Sequence, residues 1–329
     1  MSSFVLLVSF FFYFLNNFSE GKFACHPNDR NALLQIKSHF INNASTFSNW
    51  VPNTECCYWS NVGCDEDGRV VILVVNDADD VVGQLSPAIG DLRYLQALRF
   101  WNLPNLTGPI PSTIGKLTKL LILDINNNSM SGPIPKELGR LKKLEQLFIT
   151  SNKFSGYIPP DLSRLSNLVY LHLFGNKLTG SIPASFGSFN TNLSLLLYDN
   201  QLSGPIPKSI GQAKLSKVSV SNNQLSGDAS FLFGSDKTVL TDVSLRNNKF
   251  KFDFSNVDLP QGLRNLDIAH NMIYGSLPKR LGQLPLQSID VSYNKLCGKI
   301  PTGRRLKTFS PSFFAHNKCL CGAPLPPCK

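Results

Sequence analysis

Few residues in this 329-residue chain have the types and spacing that reactions need. Its five histidines, His26, His39, His172, His270 and His316, are scattered. His172 with Asp199 has the composition of a base and its orienting carboxylate, yet no nucleophile accompanies them. There is no G-x-S-x-G, no phosphate loop and no H-E-x-x-H. No catalytic residue, cofactor or metal ligand is expected. A different chemistry is better represented. Phe148, Tyr170, His172, Phe174 and Tyr198 fall at alternate positions of three successive, similarly written segments. If those segments are strands, the five rings stand together on one open face, and an exposed aromatic patch marks a binding surface. Asp124, Lys217, Asp242 and Arg246 occupy equivalent outward positions around it. These residues are the candidate partner-binding site.

The elements that position them are copies of one pattern. In Leu168 to Pro183, apolar residues alternate (Leu171, Leu173), then come Asn176, an apolar-polar-Gly turn and Ile182-Pro183. The Asn recurs at Asn128, Asn152, Asn176, Asn200, Asn223, Asn248, Asn271 and Asn294, spaced by 23 to 25 residues. That period and the form L-x-x-L-x-L-x-x-N-x-L identify about ten leucine-rich repeats over residues 69–296. The expected fold is an α/β solenoid, a right-handed superhelix with a concave parallel β-sheet. Residues five and three before each Asn point inward: Leu123 and Ile125, Leu147 and Ile149, Leu171 and Leu173, Leu195 and Leu197, Val218 and Val220. Ten strands at about 4.8 Å would make a sheet roughly 45 Å long. The Gly-Pro segments are turns, followed by short helical pieces such as Lys136 to Leu141. Two copies deviate: Leu98 to Asn105 carries extra residues before its Asn, and Asp228 to Asp242 replaces Ile-Pro with Ala229 to Gly234. The repeated Asn is read as an inward ladder that satisfies backbone groups, rather than as a water-ordering array.

Residues 1–23 hold an apolar core from Val5 to Leu15 and read as a secretory signal peptide, which predicts an extracellular protein without membrane insertion. In that setting cysteines form disulfides. All eight lie in the two ends, Cys25, Cys56, Cys57 and Cys64 in a cap over 24–68, and Cys297, Cys319, Cys321 and Cys328 in a cap over 297–329. Each group of four allows three connectivities; a bond between adjacent Cys56 and Cys57 would be strained, which favours Cys25 and Cys64 as their partners. Asn28-Asp29 is expected to cap a helix with the stripe Leu33, Ile36 and Phe40. Trp50 and the Cys56 to Cys64 cluster should cover the first repeat, and Val70 to Val75 should be its strand. After Cys297 the period is expected to stop, with Phe309, Phe313 and Phe314 covering the last strand. The formal charge of +10 is spread rather than blocked, and export removes nucleic acid as a partner. Sequons at Asn43, Asn105, Asn127 and Asn192 predict N-glycans, the one at Asn127 beside the concave edge.

The motif S-G-x-I-P-x-x-L-G-x-L resembles the plant extracellular subtype of leucine-rich repeats. The cysteine caps, the stretch Gly227 to Lys237 and the ending Asn317 to Pro326 resemble plant polygalacturonase-inhibiting proteins. The resemblance covers nearly all of 25–328. It implies the pairs Cys25–Cys56, Cys57–Cys64, Cys297–Cys319 and Cys321–Cys328, and a second, smaller sheet beside the concave one. It also implies a monomer in the cell wall whose concave face grips a secreted fungal or insect polygalacturonase and blocks access to pectin. Family members commonly carry acidic residues on the central strands, where this chain has Phe148 and Phe174, so steering of a basic enzyme should be weaker. Pectin itself is expected as a second ligand of the basic surface. The stretch Tyr94 to Leu106 resembles a plant antifreeze branch on the same scaffold. Ice binding, and a developmental or receptor-partner role, are therefore the alternatives.

Overall fold

The computed structural model describes residues 24–41, 45–303 and 305–329. The predicted signal peptide and Asn43 lie outside the described residues.

The alternating leucines do what their period requires. Leu123, Leu147, Leu171 and Leu195 are buried, as are Ile125, Ile149, Leu173 and Leu197. Their strands pair in register across repeats, Leu123 with Leu147, Leu147 with Leu171 and Leu171 with Leu195. The concave sheet has eleven strands. Ten are the expected parallel ones, from Val70–Asn76 to Ser288–Asp290; the eleventh, Val62–Cys64 of the N-terminal cap, pairs antiparallel with Val70–Asn76. That reversed strand closes the sheet edge which a parallel array would leave open.

The second sheet is present in three pieces. Three strands run from Phe40–Ile41 through Val82–Gln84 to Leu106–Thr107; six run from Ser131–Gly132 to Lys249–Phe250; three link Tyr274–Gly275, Lys295–Lys299 and Cys319–Cys321. Between the two kinds of strand, the helical pieces are single 3-10 turns such as Lys136–Arg140. All but Ser230–Leu232, which follows Ala229, start beside a proline, and a 3-10 turn is all that so short a stretch can support.

The Asn ladder faces inward. The Asn176 Oδ1 accepts from the Phe154 amide (3.1 Å), and its Nδ2 donates to the carbonyls of Ile149 (2.8 Å), Leu173 and Phe174. Asn152, Asn200, Asn223, Asn248, Asn271 and Asn294 likewise bridge to the preceding copy. Two expectations about its ends need correction. In the second copy the ladder position belongs to Leu103, fully buried, whose amide donates to Asn128 Oδ1 (2.8 Å). Asn105 is thus an exposed residue beyond the ladder, and that copy has no insertion before its rung. The period also outlasts Cys297: Asn317 accepts from Leu296 N and donates to Val291 O, adding a rung. Of the three C-terminal phenylalanines, Phe314 is buried and Phe309 packs on the core, but Phe313 is exposed because it belongs to the 3-10 turn Pro311–Phe313, none of whose residues is buried.

Four disulfides join Cys25–Cys56, Cys57–Cys64, Cys297–Cys319 and Cys321–Cys328, all in the caps. In the N-terminal cap, Phe40 stacks on Phe47 at 5.2 Å, Phe47 meets Trp50 edge-on at 4.7 Å and Trp50 stacks on Trp59 at 5.5 Å. The cap helix spans Pro27–Ser38, so Phe40 lies past its end in a strand, and the N-cap is His26, whose Nδ1 accepts from Asn28 N. Asp29 has a different task from the expected capping. It is fully buried and accepts from Arg69 Nε (2.9 Å), Arg69 Nη2 (2.7 Å) and Val70 N (2.9 Å), tying the helix to the first repeat strand. A carboxylate taken that far from water has to be paired.

Candidate functional site: the concave aromatic patch

Strand alternation puts three side chains of each repeat on the concave face, and parallel pairing stacks them into columns. The middle column runs Arg99, Asp124, Phe148, His172, Leu196, because Arg99 pairs with Asp124, Asp124 with Phe148, and Phe148 with His172. Pairing of His172 with Leu196 sets Phe174 beside Tyr198 in the next column. All five candidate rings are therefore neighbours. Phe148 lies 5.0 Å from His172 and 6.0 Å from Tyr170 between ring centroids. Tyr170 meets His172 edge-on at 5.8 Å, His172 is 6.3 Å from Phe174, and Phe174 stacks on Tyr198 at 4.3 Å. Packed flank to flank, four are half-buried and Tyr170 is exposed. Gly175 follows Phe174 with φ of 68°. A Cβ there would come within 3.2 Å of Ser151 N, so a glycine suits the turn that ends this strand.

The electrostatics of the patch are nearly neutral. His172 Nε2 lies 3.0 Å from the buried Ser194 hydroxyl. Burial, with Lys217 adding to it, lowers the imidazole pKa to about 4. Asp124, on the N-terminal flank, is pushed up to about 6 by burial, against the opposing pull of Arg99. Its Oδ1 and the Oε1 of Gln146, one strand on, are buried and accept no hydrogen bond from the described residues. Such acceptors at an open face suit a surface that is completed by donors from elsewhere.

The remaining candidates form a separate lattice on the C-terminal side. Lys217 Nζ is 3.8 Å from Asp242, which accepts from Asn265 Nδ2 (2.7 Å). Arg246 is clamped by Asp290 (2.8 Å) and Asp267 (3.6 Å). Burial raises the Asp267 carboxyl, and hydrogen bonds to Ala269 N and to Arg246 oppose it. These groups are pre-positioned by one another and adjoin the rings rather than mixing with them.

Two features escaped the sequence reading. Trp101, 41% exposed, stands beside Asn76 at the N-terminal part of the concave sheet, apart from the ring cluster. Along the edge of the sheet, the residue before each ladder rung has positive φ, from Asp77, Asn102 and Asn127 to His270, Tyr293 and His316. Their side chains join between repeats: Asn127 donates to Asn102 (2.7 Å), Asn222 to Asp199 (2.6 Å), and Tyr293 stacks between His270 and His316, 4.2 Å from each. The doublets Asn127-Asn128, Asn222-Asn223 and Asn247-Asn248 were its visible trace. The sequon residues Asn105, Asn127 and Asn192 are all exposed.

The eleven-stranded concave sheet, its register-matched repeats and the inward Asn ladder define a leucine-rich-repeat protein. The chain matches the leucine rich repeat N-terminal domain over residues 26–65 and the leucine rich repeat over 119–141, 143–165 and 167–189. It is 54% identical to polygalacturonase inhibitor 1 of Arabidopsis thaliana over 98% of both chains. It is 51% identical to the polygalacturonase inhibitor of Pyrus communis over 93% of this chain and 92% of that one. The chain belongs to the polygalacturonase-inhibitor family. Among solved structures it resembles a plant ice-binding protein, with 45% identity and a TM-score of 0.87 over 93% of this chain and 98% of the other.

Proposed function

We propose that this protein is exported to the plant cell wall and inhibits a secreted polygalacturonase sterically. It acts as a monomer and performs no catalysis itself. The concave sheet docks on the enzyme and covers the cleft that takes pectin. The observation that carries this reading is the contiguous cluster Phe148–Tyr170–His172–Phe174–Tyr198 on that sheet, in a chain 54% identical to a named inhibitor. Rings already packed against each other lose little freedom on binding, which is how aromatic anchors supply affinity. Asp124 and the lattice of Lys217, Asp242 and Arg246 border the cluster and orient the partner. The target enzyme comes from a fungus or an insect, and aromatic contact takes a larger share of recognition than charge. Titrating purified protein against a panel of fungal and insect polygalacturonases tests this, with loss of pectin hydrolysis as the supporting result.

Pectin is a second ligand of the same protein in this reading. Lys153, Lys177, Lys249, Lys295 and Lys318 each follow a ladder Asn, are exposed, and pair with no carboxylate among the described residues. Retention on pectate that weakens with added salt would support it.

Ice is the alternative that the structural likeness favours. Against it, the ladder amides are turned inward, and bulky rings interrupt the outward face. Normal crystal growth in the presence of the protein would remove this reading, and arrested recrystallisation would revive it.

A further inference from the structure

We propose that Asn105 is N-glycosylated and that the innermost sugars of its glycan fill the groove beside it. The groove has a volume of about 610 Å³, within the size of small-molecule sites. It lies on the lateral side of the solenoid, where Phe40–Ile41, Val82–Gln84 and Leu106–Thr107 form the first lateral sheet. Ile41, Val82 and Pro104 give it apolar walls, Gln84 and Lys153 give it polar ones, and Asn105 is itself part of the lining.

Three observations converge there. Asn105-Leu106-Thr107 is a complete acceptor sequence, and Asn105 is exposed. The Asn105 Nδ2 gives one hydrogen to the Asp79 carbonyl at 2.8 Å. An amide nitrogen has two hydrogens, so the other remains for substitution. In the transfer, Nδ2 bonds to the anomeric carbon of N-acetylglucosamine and loses one hydrogen as a proton, while the diphosphate of the lipid-linked donor leaves with the electrons of the broken C–O bond. The retained hydrogen keeps its bond to Asp79, so the orientation seen here survives modification. Finally, Ile41 is 57% exposed on a two-residue edge strand, an apolar side chain that the described residues leave without full cover. A sugar's C–H face and acetamide methyl suit Ile41, Val82 and Pro104, and its hydroxyls suit Gln84 and Lys153. Asn192 is outside this lining, which makes it the natural comparison.

The inference rests on export, as in the proposed function, and the test separates the two. The full chain is expressed in secreting plant cells whose glycans stay high-mannose, and glycopeptides are mapped by mass spectrometry. An endoglycosidase that cuts between the two core sugars then reads accessibility on the native protein. Expected are an occupied Asn105 and release from it at least tenfold slower than from the same site in Ile41→Ser or Lys153→Ala. Both substituted residues are exposed, so the variants should fold, and circular dichroism checks that they do. Secreted protein unmodified at Asn105, or equal release rates in all three proteins, would overturn the inference while leaving inhibition intact. A chain that is not secreted would overturn the export reading and this inference with it.

Discussion

Phe174 and Tyr198 stack face to face across neighbouring repeats, with ring centroids 4.3 Å apart and planes 10° from parallel. This contact closes the C-terminal end of the patch and fixes both rings before any partner arrives. Phe174→Ala should therefore weaken partner binding by about 2 kcal/mol, nearly thirtyfold, without unfolding the chain. Tyr198→Ala should weaken it as well, and the double variant should lose less than the sum, because each single change already breaks the stack. Calorimetric titration with a responsive polygalacturonase gives the three values, and strict additivity would argue against a pre-formed pair.

His172 and Asp124 make opposite contributions to stability as pH changes. The His172 pKa falls from 6.5 to about 4 in the folded chain, so its contribution is full above pH 6.5 and declines as pH drops toward 4. The Asp124 pKa rises from 3.8 to about 6, so its contribution is full below pH 3.8 and is lost as pH climbs toward 6. Between pH 4 and 6 the two slopes oppose each other. Asp124→Asn should stabilise the protein at pH 7 by on the order of 2 kcal/mol, with the gain fading toward pH 4. His172→Gln should flatten the decline at acidic pH. Urea unfolding at pH 4, 5, 6 and 7 measures both.

Much of this architecture was legible in the chain because solenoid repeats rewrite the same local instruction. Leu171, Leu173 and Asn176 report strand, core and ladder without reference to distant residues, so the face carrying Tyr170, His172 and Phe174 followed from a period of two. Interactions between distant segments were not legible. Asp29 looks like a helix cap beside Asn28, and only the packing of Arg69 against the helix reveals a buried ion pair. Leu103 looks like an ordinary apolar residue until its amide is found on Asn128. Arg246 looks like a free rim cation, yet Asp267 and Asp290, one and two repeats away, already hold it.

The ladder should be sensitive to truncation in its middle. Asn176→Ala would strand the Phe154 amide and the Ile149 carbonyl in the interior. A loss of about 3 kcal/mol is expected, since each buried orphan costs roughly 1–3 kcal/mol. A loss below about 0.5 kcal/mol, the scatter of ordinary surface substitutions, would mean that water replaces the side chain.

The Asp29–Arg69 pair anchors the N-terminal cap. Asp29→Ala should cost about 3–5 kcal/mol by leaving the guanidinium and Val70 N without their acceptor. Replacing both members, Asp29→Leu with Arg69→Met, should restore part of that loss, because the harm lies in the unpaired remainder. Chemical denaturation of the three variants checks the order.

The central claim is that the ring cluster makes this protein an inhibitor. Its most direct measurement is the inhibition constant against a susceptible polygalacturonase for the wild-type chain and for the double variant Phe148→Ala/Phe174→Ala, at a pH where both are folded. The account predicts inhibition by the wild type and a loss of at least a hundredfold in the variant. Equal inhibition by both proteins would contradict it, as would a wild-type chain that inhibits no polygalacturonase of a broad fungal and insect panel.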